Sequence, residues 1–451
     1  MNRFDTSHGT GPKRILISGA RVIDPASGFD GLAVLALADS RILSIGATAP
    51  ADFVADQTID ASGCLVLPGL VDLNARLGEP GHEHEGMLES ETAAAVAGGV
   101  TSLVCPPDTD PVLDEPGLVQ MLKFRAANLR RCRVYPLGAL TRRLEGEALT
   151  EMVELTHAGC VGFGQADLAI GNTQVLLRAM QYASTFGYRV WLRPEEIHLG
   201  RGVAASGPLA TRLGLSGIPV AAETIALHSI FELVRATGAS VHLCRISSAA
   251  GVALVRSAKA EGLPISCDVS VNSLHLTDAD IAYFDSRARL RPPLRQQRDR
   301  DALRLALADG TIDAAVSDHS PVSEDGKTLP FAEAVAGASG LELLLSLVLK
   351  WSEELGVDDQ ASTLMRAVRV LTSQPAAILK AHVAEDGRSI GRLCVGEAAD
   401  LCVVDAGSRW TVSAQTLCSR GKHTPFGGHE LPGRVRYTLV GGQLAYQAVD
   451  S

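Results

Sequence analysis

The sequence predicts an α/β protein: a (β/α)8 TIM barrel with a small flanking β-domain built from both chain termini. Two observations carry that reading. From about residue 64 to residue 320, short apolar runs alternate with amphipathic helical stretches, the pattern of repeated βα units around a parallel sheet. Eight such runs can be counted, enough to close a barrel. The two ends read differently, as short alternating strands separated by Gly and Asp turns: RILISGARVID and LAVLALADSRILSIG near the start, GRLCVGEAADLCVVD and RVRYTLVGGQLAY near the end. Neither end has enough strands for a stable sheet of its own, so one domain assembled from both is the economical solution.

Taken in order, the barrel strands are expected at 64–73, 100–105, 132–137, 160–164, 188–192, 240–244, 264–269 and 312–317. Between most of them helix formers recur at helical spacing, as in Leu176, Leu177, Met180 and Ala183, or Leu303, Leu305, Ala306 and Leu307. The expected divisions are a disordered tail over 1–12, a composite β-domain over 13–63 plus 385–451, and the barrel over 64–384.

Composition narrows the function. Of 451 residues, 41 are Lys or Arg and 51 Asp or Glu, a formal charge of −10. A nucleic-acid or anionic-membrane surface needs clustered basic side chains, so neither partner is expected. The opening residues lack the apolar core of a signal peptide, and no apolar stretch reaches the roughly 20 residues of a membrane helix; a cytoplasmic location is expected. Nine cysteines form no CxxC pair, and Cys105, Cys244 and Cys402 lie in apolar runs, which argues against disulfides and structural zinc. No GxSxG elbow, phosphate-binding GxxxxGK[ST] loop or HExxH pair occurs.

Chemistry in such a barrel sits at the C-terminal ends of the strands. There the first strand reads PGLVDLNARLGEPG over 68–81, with Asn74 and Arg76 on one face. Residues 89–112 read ESETAAAVAGGVTSLVCPPDTDPV, followed by GLSGIP at 214–219, RPPLR at 291–295, SDHSP at 317–321, GLE at 340–342 and TPF at 424–426. In these motifs, in this order and over nearly the whole chain, the sequence resembles the dihydroorotase branch of the amidohydrolase superfamily.

The resemblance implies a metal site that this chain lacks. Active members carry His-x-His where Asn74-Ala75-Arg76 stands, and two imidazoles on one strand face can hold a divalent ion that activates water. The family's bridging acid falls at Gln165 or Ala166. Asp167 is offset by a residue and is expected to point the other way. Arg193 and Arg245 replace the histidines of the fifth and sixth strands, and only Asp318 survives, as a vestige. Gly78 and Arg291 stand where the family's substrate-binding Arg and Asn would be, so binding of dihydroorotate should be lost as well.

Arginine has no lone pair to give and stays protonated, so no metal cofactor is expected. Arg76, Arg193 and Arg245 are expected to neutralise Asp318 and Glu195 or Glu196, or to form a concave pocket for a small anion. The alternative is an active cyclic amidase of the dihydroorotase, hydantoinase or allantoinase kind, with zinc on His82, His84, Asp318 and His319. Against it, His82 and His84 read as solvated loop residues, and His319 and His242 as packed barrel residues. The resemblance implies a noncatalytic companion of the aspartate carbamoyltransferase catalytic chain, in a hetero-oligomer serving pyrimidine synthesis.

Overall fold

A computed structural model describes residues 14–355, 360–383 and 390–449. The expected tail over 1–12 and the expected division at 384/385 lie outside the described residues.

The barrel strands are Leu70–Asp72, Val100–Cys105, Arg133–Pro136 continuing into Gly138–Ala139, Phe163–Gly164, Arg189–Leu192, Ser240–Leu243, Ile265–Ser270 and Ala314–Val316. Each pairs in parallel with the next. All six residues of Val100–Cys105 are buried, because helices cover one face and the barrel interior the other, which is why such strands read as unbroken apolar runs. Closure is made by the first and last strands. Ala75 bridges His319, the Arg76 N–H donates to the His319 carbonyl at 2.8 Å, and the Ser317 N–H and hydroxyl both donate to Asp72.

The outer helices follow from their sequences. Thr173–Phe186 begins where Asn172 accepts a hydrogen bond from the Gln174 N–H and ends at Gly187 in the left-handed region. Its buried positions, Leu176, Ala179, Met180 and Ala183, recur every three or four residues and face the sheet.

Both termini enter one flanking sheet. Its order is Gln443–Gln447, Glu430–Val440, Leu401–Thr411, Leu65–Pro68, Arg14–Asp24, Phe29–Ala38 and Arg41–Gly46, with Gln57–Asp60 also pairing with Arg14–Asp24. Ile15, Ile17, Leu35, Val66, Leu401, Val403 and Leu439 form its own apolar core. Here the expected first barrel strand is corrected. Residues 64–73 are two strands: Leu65–Pro68 joins the flanking sheet between the two termini, and the barrel begins only at Leu70. The break falls at Gly69, where a Cβ would lie 2.1 Å from Thr101 Oγ1, so the chain passes too close to its neighbour for any side chain. All nine cysteines are free. Among the described residues no helix is long and apolar enough to cross a membrane.

Asp72 is fully buried, and burial pushes its carboxyl up to about 6 against the opposing hydrogen bonds from Ser317 and Asn74. A carboxyl raised in the folded state adds stability below its unfolded pKa of about 4 and loses that contribution as pH rises through the folded value. Asp72→Asn is therefore expected to look better against wild type at about pH 7.5 than at about pH 4, by on the order of 1–3 kcal/mol. Urea unfolding of both proteins at both pH values checks this; an identical difference at the two would contradict it.

Candidate functional site

The mouth of the barrel is built from residues just past the strand ends. Asn74 and Arg76 follow Leu70–Asp72, Arg193 follows Arg189–Leu192, Arg245 follows Ser240–Leu243, and Asp318 follows Ala314–Val316. Arg245 and Asp318 adopt φ of 56° and 52°. Non-glycine residues seldom take this conformation, which clusters at functional sites.

One carboxylate organises the mouth, and it is the one the strand pattern dismisses. Asp167 Oδ2 accepts from Arg76 Nη2 at 2.8 Å. Its Oδ1 accepts from Arg245 Nη2 and lies 2.8 Å from Arg193 Nε, and its carbonyl accepts from Arg193 Nη2 at 2.9 Å. The expectation that Asp167 points away fails because the strand has ended at Gly164, and Ala166 takes a left-handed φ of 51° that breaks the alternation and turns the next side chain into the mouth.

The other charges close around this hub. Arg76 donates to Asp108 and to the Ser320 hydroxyl, both at 2.9 Å. Arg193 grips Glu195 with two hydrogen bonds of 2.6 and 2.7 Å, and Arg291 donates to the same carboxylate. Arg245 donates to Asp318 Oδ1 at 2.9 Å, which also accepts from Asn74 Nδ2 at 3.1 Å. Four guanidinium groups thus meet four carboxylates. The expected pairing with Asp318 and Glu195 is found, whereas Glu196 instead accepts from the backbone N–H groups of His198 and Leu199. The expected pocket for a small anion is corrected in the same way: the anion gripped by Arg76, Arg193 and Arg245 is the chain's own Asp167.

Electrostatics follow the geometry. Burial works to raise Asp167, but Arg245, Arg76 and Arg193 outweigh it and hold the carboxyl well below the usual range. Asp318 is pushed above its ordinary value, by burial first and by the neighbouring Asp167 charge, with Arg245 only partly offsetting them. Arg245 is raised well above its ordinary value, since Asp167 and Asp318 overcome its burial.

The remaining sequence candidates lie elsewhere. Gln165 is turned from the cluster, its amide oxygen accepting from Thr141 and its Nε2 donating to the Leu144 carbonyl. At Gly78, with φ of 72°, a Cβ would fall 2.3 Å from the Gly86 carbonyl oxygen, so the loop has no room for a side chain there. His319 Nδ1 accepts from the Gly340 N–H, which leaves Nε2–H to donate to Glu91 at 2.8 Å; both nitrogens are engaged with groups other than Asp318. His242 is fully buried between Asp268 and Ser266, at 2.8 Å from each. The His82 and His84 ring centroids are 6.2 Å apart and His84 is largely exposed. His82, His84, Asp318 and His319 do not converge on a common point for zinc. Among the described residues the only trio of donors close enough to share an ion is His242, Cys244 and Asp268, whose histidine and aspartate already bond each other.

The donor set at the mouth does not fit a divalent metal. Three of the positions carry fixed positive charge, and the Asp167 and Asp318 carboxylates both bond Arg245. Space is equally scarce: free volume is about 10 Å³ beside Arg193, Glu195 and Arg245, and about 40 Å³ beside Arg76, His82 and Asp108. That holds a water or two, against roughly 300 Å³ or more for a small-molecule pocket. Sequence reasoning missed Asp108 as well as Asp167. The only available signal for Asp108 was an acid following the Pro-Pro step at the end of the second barrel strand.

Comparisons with known proteins agree with this architecture. A family profile described as dihydro-orotase-like matches residues 63–250, and an amidohydrolase family profile matches 217–445. A dihydroorotase-like protein of Pseudomonas aeruginosa is 44% identical over 434 residues, covering 96% of this chain and 99% of its own. A dihydroorotase of Geobacter sp. is 38% identical over 435 residues, with 96% and 99% covered. Among solved structures, an L-hydantoinase (dihydropyrimidinase) from Arthrobacter aurescens superposes with a TM-score of 0.84 at 23% identity, covering 97% of this chain and 96% of that one. That likeness speaks for the fold alone.

Removing the hub leaves three guanidinium groups facing one another. Asp167→Ala is expected to lose about 3–5 kcal/mol of unfolding free energy. Acetate at about 100 mM should recover part of that loss by binding the vacated arginines in the native state, and chloride at equal ionic strength should recover less. Urea unfolding in the two salts checks this; a loss below about 1 kcal/mol would contradict the hub's role.

Proposed function

The chain belongs to the dihydroorotase-like family of amidohydrolases, and from that premise we propose that its own site performs no chemistry and that it serves in the cytoplasm as the noncatalytic structural subunit of a hetero-oligomer with the aspartate carbamoyltransferase catalytic chain. The observation that carries this reading is Asp167 held by Arg76, Arg193 and Arg245 at the ends of the strands where the family's chemistry would take place.

Hydrolysis or closure of a cyclic amide requires an electrophile on the carbonyl, an activated water and a base that can exchange a proton with solvent. No residue of this mouth supplies the first two. Asp318, the single candidate base, is buried and tied to Arg245 and Asn74. Guanidinium groups here neutralise charge and pin loops, but they cannot generate hydroxide at neutral pH, because arginine keeps its protons. A barrel retained for its outer surface is free to lose its site, whereas one retained for chemistry is not.

The test is elemental analysis of the purified chain with an assay for dihydroorotate ring closure and opening, with and without added zinc, followed by size-exclusion chromatography with the transcarbamoylase catalytic chain of the same organism. The expected outcome is neither metal nor turnover, and co-elution with the catalytic chain. Stoichiometric zinc with turnover would overturn the proposal in favour of an active cyclic amidase, and failure to co-elute would remove the partner.

A further inference from the structure

We infer that the apolar patch formed by Tyr283, Phe284, Leu329 and Val335, on the loops after the seventh and eighth barrel strands, is the surface on which the partner chain docks, and that the partner meets it with an apolar pocket rimmed by lysine or arginine. The inference rests on the hetero-oligomer proposed above and names the face through which it forms. Single apolar side chains are ordinary on a protein surface, whereas adjoining ones mark contact sites. Here Tyr283 is 88% exposed, and Phe284, Leu329 and Val335 are 38%, 44% and 41% exposed.

The aromatic tip is held in place. Ala282 takes φ of 47° with ψ of −115°, and Phe284 takes φ of 66°, a region that residues with side chains seldom enter; the two bracket Tyr283. The Asp285 N–H donates to the Ile281 carbonyl at 2.9 Å and closes the turn, and the Tyr283 and Phe284 rings stand edge to face at 5.4 Å. Lys327 braces this loop to the next. It is buried, and its Nζ donates to the Ser286 and Arg289 carbonyls at 3.0 and 3.1 Å, while the Ser286 hydroxyl donates to the Lys327 carbonyl. Beyond it the Val335 N–H donates to the Gly326 carbonyl at 3.0 Å. Arg291 and Asp318, both in the mouth cluster, lie on the same two loops and anchor them to Glu195 and Arg245. A patch ordered before it binds has less entropy to lose on docking, and an exposed tyrosine is a residue type that carries binding energy at interfaces.

Charge selects the occupant. Glu324, Asp325 and Glu333 are exposed on the loop that carries Leu329 and Val335, and none has an ion pair among the described residues. The nearby cations are turned to other work: Arg287 is held by Asp285 at 2.7 Å, Lys327 is buried against carbonyls and Arg289 is half-buried. Two copies meeting through this patch about a two-fold axis would set the three acids against their own images. A different chain with basic residues around an apolar pocket meets the same surface with attraction at the rim and burial at the centre.

The test is biolayer interferometry of the full chain against the transcarbamoylase catalytic chain of the same organism, with sedimentation velocity of the full chain alone. Tyr283→Ser removes an exposed ring and is expected to weaken binding about tenfold or more. The Glu324→Gln, Glu333→Gln double variant is expected to weaken it severalfold in about 50 mM sodium chloride and little in about 500 mM, where screening has removed the rim's attraction. Phe124→Ser, on the outer helix Pro116–Leu129, is expected to leave the affinity unchanged. Binding by wild type that Tyr283→Ser does not weaken, or that Phe124→Ser weakens as much, would overturn the inference and leave the partner in place. An affinity unaffected by the double variant at low salt would overturn the basic rim. Self-association of the wild-type chain that Tyr283→Ser abolishes would give the patch to a second copy instead. No binding by wild type would remove the partner itself, and this surface with it.

Discussion

A half-buried carboxylate gripped by three guanidinium groups is the interaction on which the rest of this site depends. Each charge alone would be costly to take from water; together, four arginines and four acids reach local neutrality at the rim of a closed barrel. Asp167 is the member without which the others would repel. Its two oxygens and its carbonyl touch Arg76, Arg193 and Arg245, so it ties together the loops after the first, fourth, fifth and sixth strands, and Arg245 extends the connection to Asp318 after the eighth. A metal centre at such a mouth would join the same loops through coordinate bonds. Here hydrogen-bonded ion pairs do so, with the difference that a coordinated ion leaves an open position for substrate, whereas interlocked side chains fill the space.

Much of the fold was legible because its strands are buried on both faces and therefore read as apolar runs between helical periods. The first run misled for a physical reason. Pro68-Gly69, a dipeptide that punctuates strands, marks the point at which the chain leaves the flanking sheet for the barrel, but the apolar residues on both sides let 64–73 read as one strand. That both termini share one sheet was inferable from strand counts alone, since neither had partners enough without the other.

The site was legible in part. Arg76, Arg193 and Arg245 stood out through family resemblance, at positions where strand ends face inward. Their principal partner did not, because the alternation that argues against Asp167 holds only while a strand continues. Ala166 departs from it by a left-handed turn made without glycine, so the sequence carries no mark of it. His242 and His319 are packed residues, as their places within or beside an apolar strand suggest, each ring hydrogen-bonded to a buried acid: Asp268 in one case, Glu91 in the other.

Whether guanidinium groups stand in place of metal at this mouth is tested by anomalous diffraction at the zinc edge from crystals of the chain soaked in zinc. No anomalous peak is expected among Asn74, Arg76, Asp167, Arg193, Arg245 and Asp318. A peak there, with the arginines displaced from Asp167, would contradict it.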